Sequence, residues 1–225
     1  MALFALLMGQ GDGKTIFVTG VNGHIGNNIV ADLLSNGYHV KGSVRDLSDP
    51  NKVDHVIAHA KKLGCEQRLQ LVEGNVLDSE CWAQHLAGCD GLFHTATIYA
   101  TSGDGQLIID TANKGTDNVL KAAAEVGIKR VIYTSSVAAI GSEPKGKLKD
   151  HTCWQTNTSM PYVVAKTESE RHAWKLAKQF DLDLRVINPS GVLGGGFSRP
   201  TPSTEIIGDA LAGKFPLTIK IPMAF

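Results

Sequence analysis

Short apolar runs of strand length alternate with helix-period stretches through most of the chain, and this alternation constrains the fold more than any other feature. Strands are predicted at Thr15 to Thr19, Tyr38 to Val44, Leu69 to Glu73, Gly91 to Thr95, Arg130 to Thr134 and Leu182 to Ile187. Helices are predicted between them, at Ile25 to Asn36, Asn51 to Leu63, Ser79 to Leu86, Asp104 to Val126 and Met160 to Phe180. Ile25, Ile29, Val30, Leu33 and Leu34 form one apolar stripe on a 3.6-residue period. Gly127 follows the long helix as a C-terminal stop. Alternation repeated this often implies parallel strands joined by right-handed crossovers, with helices on both faces. The expected class is α/β, a doubly wound parallel sheet. Ligands of such sheets sit at the carboxyl ends of the strands, where the strand order reverses. After Ile187 the texture changes to Asn188-Pro189, Gly191, Gly194 to Gly196, Pro200 and Pro202, a loop-rich stretch, with one short helix expected from Ser203 to Leu211.

Charge and composition narrow the function. Lys plus Arg number 22 and Asp plus Glu number 22, so no broad basic field exists to hold a nucleic acid. The apolar opening, Ala2 to Met8, is too short to span a bilayer and lacks the basic flank and cleavage site of a secretory signal. The four cysteines, Cys65, Cys81, Cys89 and Cys153, are spread without a Cys-x-x-Cys pair; they read as free thiols of a cytoplasmic protein.

The first strand runs into Thr19-Gly20-Val21-Asn22-Gly23-His24-Ile25-Gly26, a Gly-x-x-Gly-x-x-Gly corner between strand and helix. One glycine permits a tight turn, another lets backbone approach a pyrophosphate, and a third lets the helix pack close to the sheet. The N–H groups and positive end of the helix then face the phosphates. A nicotinamide dinucleotide is the cofactor this corner fits. At the end of the second strand stands Val44-Arg45-Asp46, with Val44 where an NAD site would place an acid. The planar guanidinium of Arg45 suits a 2′-phosphate, and Lys52 could add a second cation, so NADP(H) is favoured over NAD(H). Asp46 counts the other way, as a possible partner of a ribose hydroxyl.

Tyr162 and Lys166 open the helix after Pro161 and share one face at i, i+4. A neighbouring ammonium favours phenolate and draws the tyrosine toward working pH, where it can protonate a carbonyl oxygen or deprotonate an alcohol. The fifth strand ends in Thr134-Ser135-Ser136, which puts hydroxyls at the carboxyl edge, where one can donate to the same oxygen.

These stretches together resemble an extended short-chain dehydrogenase/reductase of Rossmann type, and within it the dihydroflavonol 4-reductase and cinnamoyl-CoA reductase group. The likeness is carried by Val18 to Gly26, Val44-Arg45-Asp46, Phe93-His94-Thr95-Ala96, Asn113-Lys114-Gly115-Thr116, Tyr133 to Ser136, Cys153-Trp154, Tyr162 to Lys166 and Asn188 to Gly194. The resemblance implies a cytoplasmic NADPH-dependent reductase of a small-molecule ketone or aldehyde. Tyr162 would be the proton donor, Lys166 would bind the nicotinamide ribose and tune Tyr162, and Ser136, or Ser135 beside it, would polarise the carbonyl. Thr19, Gly20, Gly23, His24, Ile25 and Gly26 would hold the pyrophosphate side, and Arg45 and Lys52 the 2′-phosphate. Asn75 and Val76 stand where the group has an acidic residue beside adenine. His94, Thr95, Ala96 and Thr97 would line the cofactor beyond the fourth strand, and Pro189 would begin the segment near the nicotinamide amide.

The same resemblance divides the chain into an extension (1–14), an NADP(H)-binding domain (15–187) and a partial substrate-binding region (188–225). The group runs on past Phe225, so the substrate region is expected to be incomplete. The stretch between Ser136 and Tyr162 is shorter than in the plant enzymes. Two other readings use the same residues, an NAD-dependent nucleotide-sugar epimerase or dehydratase and a cofactor-binding but inactive fragment. The helix from Asp104 to Val126 could pair with a second subunit. His55 and His59, at i, i+4, lack a third ligand at matching spacing and read as a solvated face rather than a metal site. Trp82 and Trp174 read as packing; Trp154 reads either as bordering a substrate mouth or as capping the core, and Tyr99 and Thr101 to Gly105, at the carboxyl edge, are candidates to touch substrate.

Overall fold

The computed structural model describes residues 11–97, 104–141, 148–156, 159–195 and 200–214. Tyr99, Thr101 and the ends of the chain lie outside these residues. Among these residues six parallel strands form one sheet: β1 (Thr15–Thr19), β2 (His39–Val44), β3 (Leu69–Glu73), β4 (Gly91–His94), β5 (Arg130–Thr134) and β6 (Asp183–Ile187). Their order is β3-β2-β1-β4-β5-β6. Among the described residues seven α-helices accompany them: α1 (His24–Ser35), α2 (Pro50–Lys62), α3 (Trp82–Leu86), α4 (Gly105–Glu125), α5 (Val137–Ile140), α6 (Pro161–Phe180) and α7 (Pro202–Leu211). A 3-10 turn, Glu66–Arg68, precedes β3. The doubly wound expectation holds. The turn at Glu66–Arg68 and the one-turn helix α5 are additions, both too short to leave a periodic signal.

The two faces of the sheet bury different halves of each strand, as a period-two element between two helical layers requires. Ile16, Val18, Val40, Phe93 and Ile132 join Ile29, Val30, Leu33 and Leu34 of α1 and Val53 and Val56 of α2 in one core. Phe17, Leu92, Val131 and Leu184 join Trp82 of α3, Val119, Leu120 and Ala123 of α4 and Ala173, Leu176 and Ala177 of α6 in the other. Trp82 is fully buried, edge-on to Phe17 with ring centroids 6.1 Å apart.

Local chemistry sets the helix ends. Asp49 accepts the N–H of Asn51 ahead of α2, and Asp104 accepts those of Gln106 and Leu107 ahead of α4. Pro161 takes the first position of α6, where its missing N–H costs nothing. Thr201 and Thr204 form a reciprocal cap on α7.

Strand order fixes where a ligand sits. The chain runs outward from β1 to β3, then crosses back to place β4 on the other side of β1. The connections above β1 and β4 therefore leave in opposite directions, and a crevice opens between them. Trp82→Ala should lower unfolding free energy by about 3–5 kcal/mol in a urea titration while leaving that crevice intact, because Trp82 packs in the core on the sheet face opposite α1.

Candidate active site

Glycine shapes the corner above β1 by close approach. A Cβ on Gly26 would fall 2.3 Å from the Gly20 carbonyl oxygen, so α1 sits against the turn at a distance no other residue permits. Gly20 has φ +67°, and its Cβ would meet the Cα of Ala96 at 3.0 Å. Val21 is buried because Gly42 on β2 leaves room for it, a pairing that sequence inspection missed. Gly23 precedes α1 in extended conformation and no side chain caps the helix, so its first turn can present N–H groups to an anion. The Ile25 side chain is partly buried and packs on the α1 core.

Thr19 ties the two sides of the crevice together. Its Oγ1 accepts the N–H groups of Thr95 and Ala96, each at 3.0 Å, and lies 3.0 Å from His94 Nδ1. With both lone pairs occupied, its one hydrogen goes to Nδ1, so His94 is neutral with its proton on Nε2. Thr95 Oγ1 donates back to the Thr19 carbonyl. Burial, with Lys166 nearby, lowers the His94 pKa to about 3. Its ring lies 5.5 Å from that of Tyr133.

Lys166 projects from α6 to the same edge. It is 5 % exposed, and its Nζ donates to the Thr134 carbonyl at 3.1 Å. Burial lowers its pKa to about 8, against the opposing charge of Glu170. Tyr162 stands one turn earlier on α6 and is half-buried. Ser136 caps α5, accepting the Ala138 N–H at 3.1 Å, which leaves its hydroxyl hydrogen for another acceptor. Ser135 Oγ is buried and has no partner among the described residues. The loop after β6 closes this side: the N–H groups of Ser135 and Val137 donate to the carbonyls of Ile187 and Pro189, at 2.8 and 3.0 Å. At the other end of that loop, Asn28 of α1 donates to the Gly195 carbonyl at 3.3 Å.

Other expected residues stand differently. Arg45 is exposed at the end of β2 and has no ion-pair partner among the described residues. Lys52 is held by Asp46 and Asp49, at 3.3 and 3.0 Å, so it is not the free second cation expected from sequence. Asp46 is likewise engaged, accepting from the backbone and hydroxyl of Ser48. Asn75 accepts the Leu77 N–H in its own turn. The Val76 side chain is buried against Gly115 of α4 and belongs to the core. Thr97 is half-buried beyond Ala96. Trp174, expected to be packing, is 42 % exposed, while Trp154 lies under the Arg171 guanidinium, 4.9 Å from the ring centroid. Sequence inspection also passed over Glu170, although a carboxylate inside the buried stripe Lys166, Ala173, Ala177 was a readable signal.

Residues 16–220 match the model of the NAD dependent epimerase/dehydratase family. The chain belongs to this family. It is 40% identical over 194 residues to cinnamoyl-CoA reductase CAD2 of Medicago truncatula, covering 81% of this chain and 59% of that protein. Among solved structures, Gre2 of Candida albicans in complex with NADPH superposes with a TM-score of 0.74 at 25% identity, covering 88% of this chain and 65% of that one. Vestitone reductase of alfalfa (Medicago sativa) gives 0.71 at 25%, covering 87% and 63%. The chain thus spans somewhat under two thirds of each relative's length. No helix among the described residues is long and apolar enough to cross a membrane.

The buried histidine makes stability depend on pH. The unfolded imidazole titrates near 6.5, the folded one near 3, so between these values the unfolded state holds the extra proton and stability falls as pH falls. Urea unfolding should show a loss of up to about 1.4 kcal/mol per pH unit below 6.5 from this group. His94→Asn, which offers Thr19 a carbonyl oxygen and cannot be protonated, should flatten that slope.

Proposed function

We propose that this chain carries the cofactor-binding and proton-transfer parts of an NADPH-dependent carbonyl reductase acting on a ketone or aldehyde. The reading rests above all on one observation: a desolvated lysine one turn after Tyr162, bonded to the last residue of β5 at the carboxyl edge of the sheet. The corner fits a dinucleotide because the glycines let α1 sit close against the turn, and the first turn of α1, which no side chain caps, is where a pyrophosphate would bind. Arg45 would hold the 2′-phosphate, alone, since Lys52 is neutralised by two carboxylates. Thr95, Ala96 and Pro189 would flank the nicotinamide end. NADPH, when bound, supplies the hydride.

The chain's own residues then handle the oxygen. Ser136 donates a hydrogen bond to the carbonyl, stabilising negative charge as it develops. Tyr162 gives that oxygen its proton. The Lys166 ammonium lowers the cost of the phenolate left behind. Desolvation strengthens this effect, because charges interact more strongly away from water. The likeness to a cinnamoyl-CoA reductase and to NADPH-bound Gre2 supports a carbonyl substrate and a phosphorylated nicotinamide cofactor.

Turnover of aromatic aldehydes and dihydroflavonols, followed as NADPH oxidation, tests the reading. Tyr162→Phe should reduce kcat by about 10²–10⁴-fold with cofactor binding retained; an undiminished rate removes Tyr162 as proton donor. Arg45→Ala should weaken NADPH by roughly 10-fold or more and leave NADH nearly unchanged, because only the 2′-phosphate contact is lost.

A further inference from the structure

We propose that Glu170 is the internal counter-ion of Lys166 and, through Asn188, the positioning residue that ties the segment after β6 to the backbone of Ser136. This rests on the carbonyl-reductase reading of the site. Glu170 lies one helical turn beyond Lys166 on α6, and its side chain is 4 % exposed. Its Oε2 accepts from Asn188 Nδ2 at 2.8 Å, and its Oε1 from Trp174 Nε1 at 3.4 Å. The Asn188 amide also donates to the Ser136 carbonyl at 3.1 Å. The carboxylate therefore stands one turn from the lysine on the same helix and is bonded, through Asn188, to the Ser136–Pro189 junction across it.

A buried carboxylate is costly to keep, and an apolar residue would pack this stripe of α6 as well. Lys166 gains what offsets that cost. Its ammonium is desolvated, has one hydrogen bond to the Thr134 carbonyl, and lies near His94, which is neutral and supplies no counter-charge. The titratable groups around it are Tyr162 and Glu170 on its own helix, His94 from β4 and Tyr133 from β5. Burial holds the Tyr133 phenol protonated, so Glu170 is the one carboxyl group in this set. Its field opposes the desolvation that drives the lysine toward its neutral form. The chain Glu170–Asn188–Ser136 adds a mechanical link: the residue that sets the charge of Lys166 also fixes the loop carrying Pro189 against the serine.

Titration of the full chain labelled with ¹³C at lysine Cε tests this without any turnover, with Lys166 assigned from Lys166→Arg. In Glu170→Gln the Lys166 midpoint should fall about one pH unit or more below wild type, whereas Glu170→Asp should restore most of it. An unchanged midpoint in Glu170→Gln overturns the proposal. If that variant does not fold, the wild type decides: the Glu170 Cδ resonance must show an inflection at the Lys166 midpoint, since coupled sites register each other's protonation. Its absence also overturns the proposal. The alkaline limb of NADPH oxidation should move with the lysine midpoint. A chain that binds and turns over nothing, yet shows the shifted midpoint, contradicts the reductase reading and leaves the counter-ion assignment standing.

Discussion

Thr19 holds the end of β1 against the backbone that follows β4, and the remaining geometry of the crevice depends on that tie. One hydroxyl satisfies the N–H groups of Thr95 and Ala96 and gives its proton to His94. Each bond is worth about 1 kcal/mol net, but leaving those buried groups without partners would cost more. The tie brings Ala96 within contact of Gly20, and Gly20 in turn receives α1 through Gly26. The floor of the proposed nucleotide site is thus built by backbone brought closer than side chains allow. A substitution adding a single carbon at Gly26 would displace the helix whose N-terminus the phosphates are proposed to meet.

A second constraint is electrostatic. The edge beyond β4 and β5 gathers His94, Lys166 and Glu170 out of water; the lysine charge acts on His94 and the Glu170 charge on Lys166. Burial favours the neutral forms of His94 and Lys166. Thr19 fixes the histidine as neutral by taking up Nδ1. The proposed counter-ion role of Glu170 fixes the lysine the other way. The proposed chemistry, in which Tyr162 gives up a proton beside a cation, needs this division, because an uncharged Lys166 could not favour the phenolate.

The layering of the fold was legible because its signals are local and repeated. Strand-length apolar runs, glycine corners and helical stripes predict every strand and each helix of five residues or more to within about three residues. The glycine corner and the Tyr162–Lys166 spacing were legible for the same reason: each is set by residues close in sequence. What pattern did not reveal lay in side-chain partners, some local and some long-range. That Lys52 would turn back to Asp46 and Asp49 depends on how α2 leaves its cap. That Val76 would enter the core depends on Gly115, some forty residues later. Serine capping of a one-turn helix has no periodicity to betray it, and the partnership of Glu170 with Asn188 spans α6 and β6. Such pairings are fixed by tertiary packing, which sequence pattern reaches only indirectly.

The claim on which the account turns is that a nucleotide seats in the crevice between β1 and β4, with its phosphates at the first turn of α1. Backbone ¹H–¹⁵N spectra of the uniformly labelled chain, recorded during addition of NADPH, measure this directly. The account predicts saturable shifts concentrated in the amides of Gly20 to Gly26 and Thr95 to Thr97, with Arg45 following. Shifts confined to other surfaces, or none at saturating nucleotide, would contradict it.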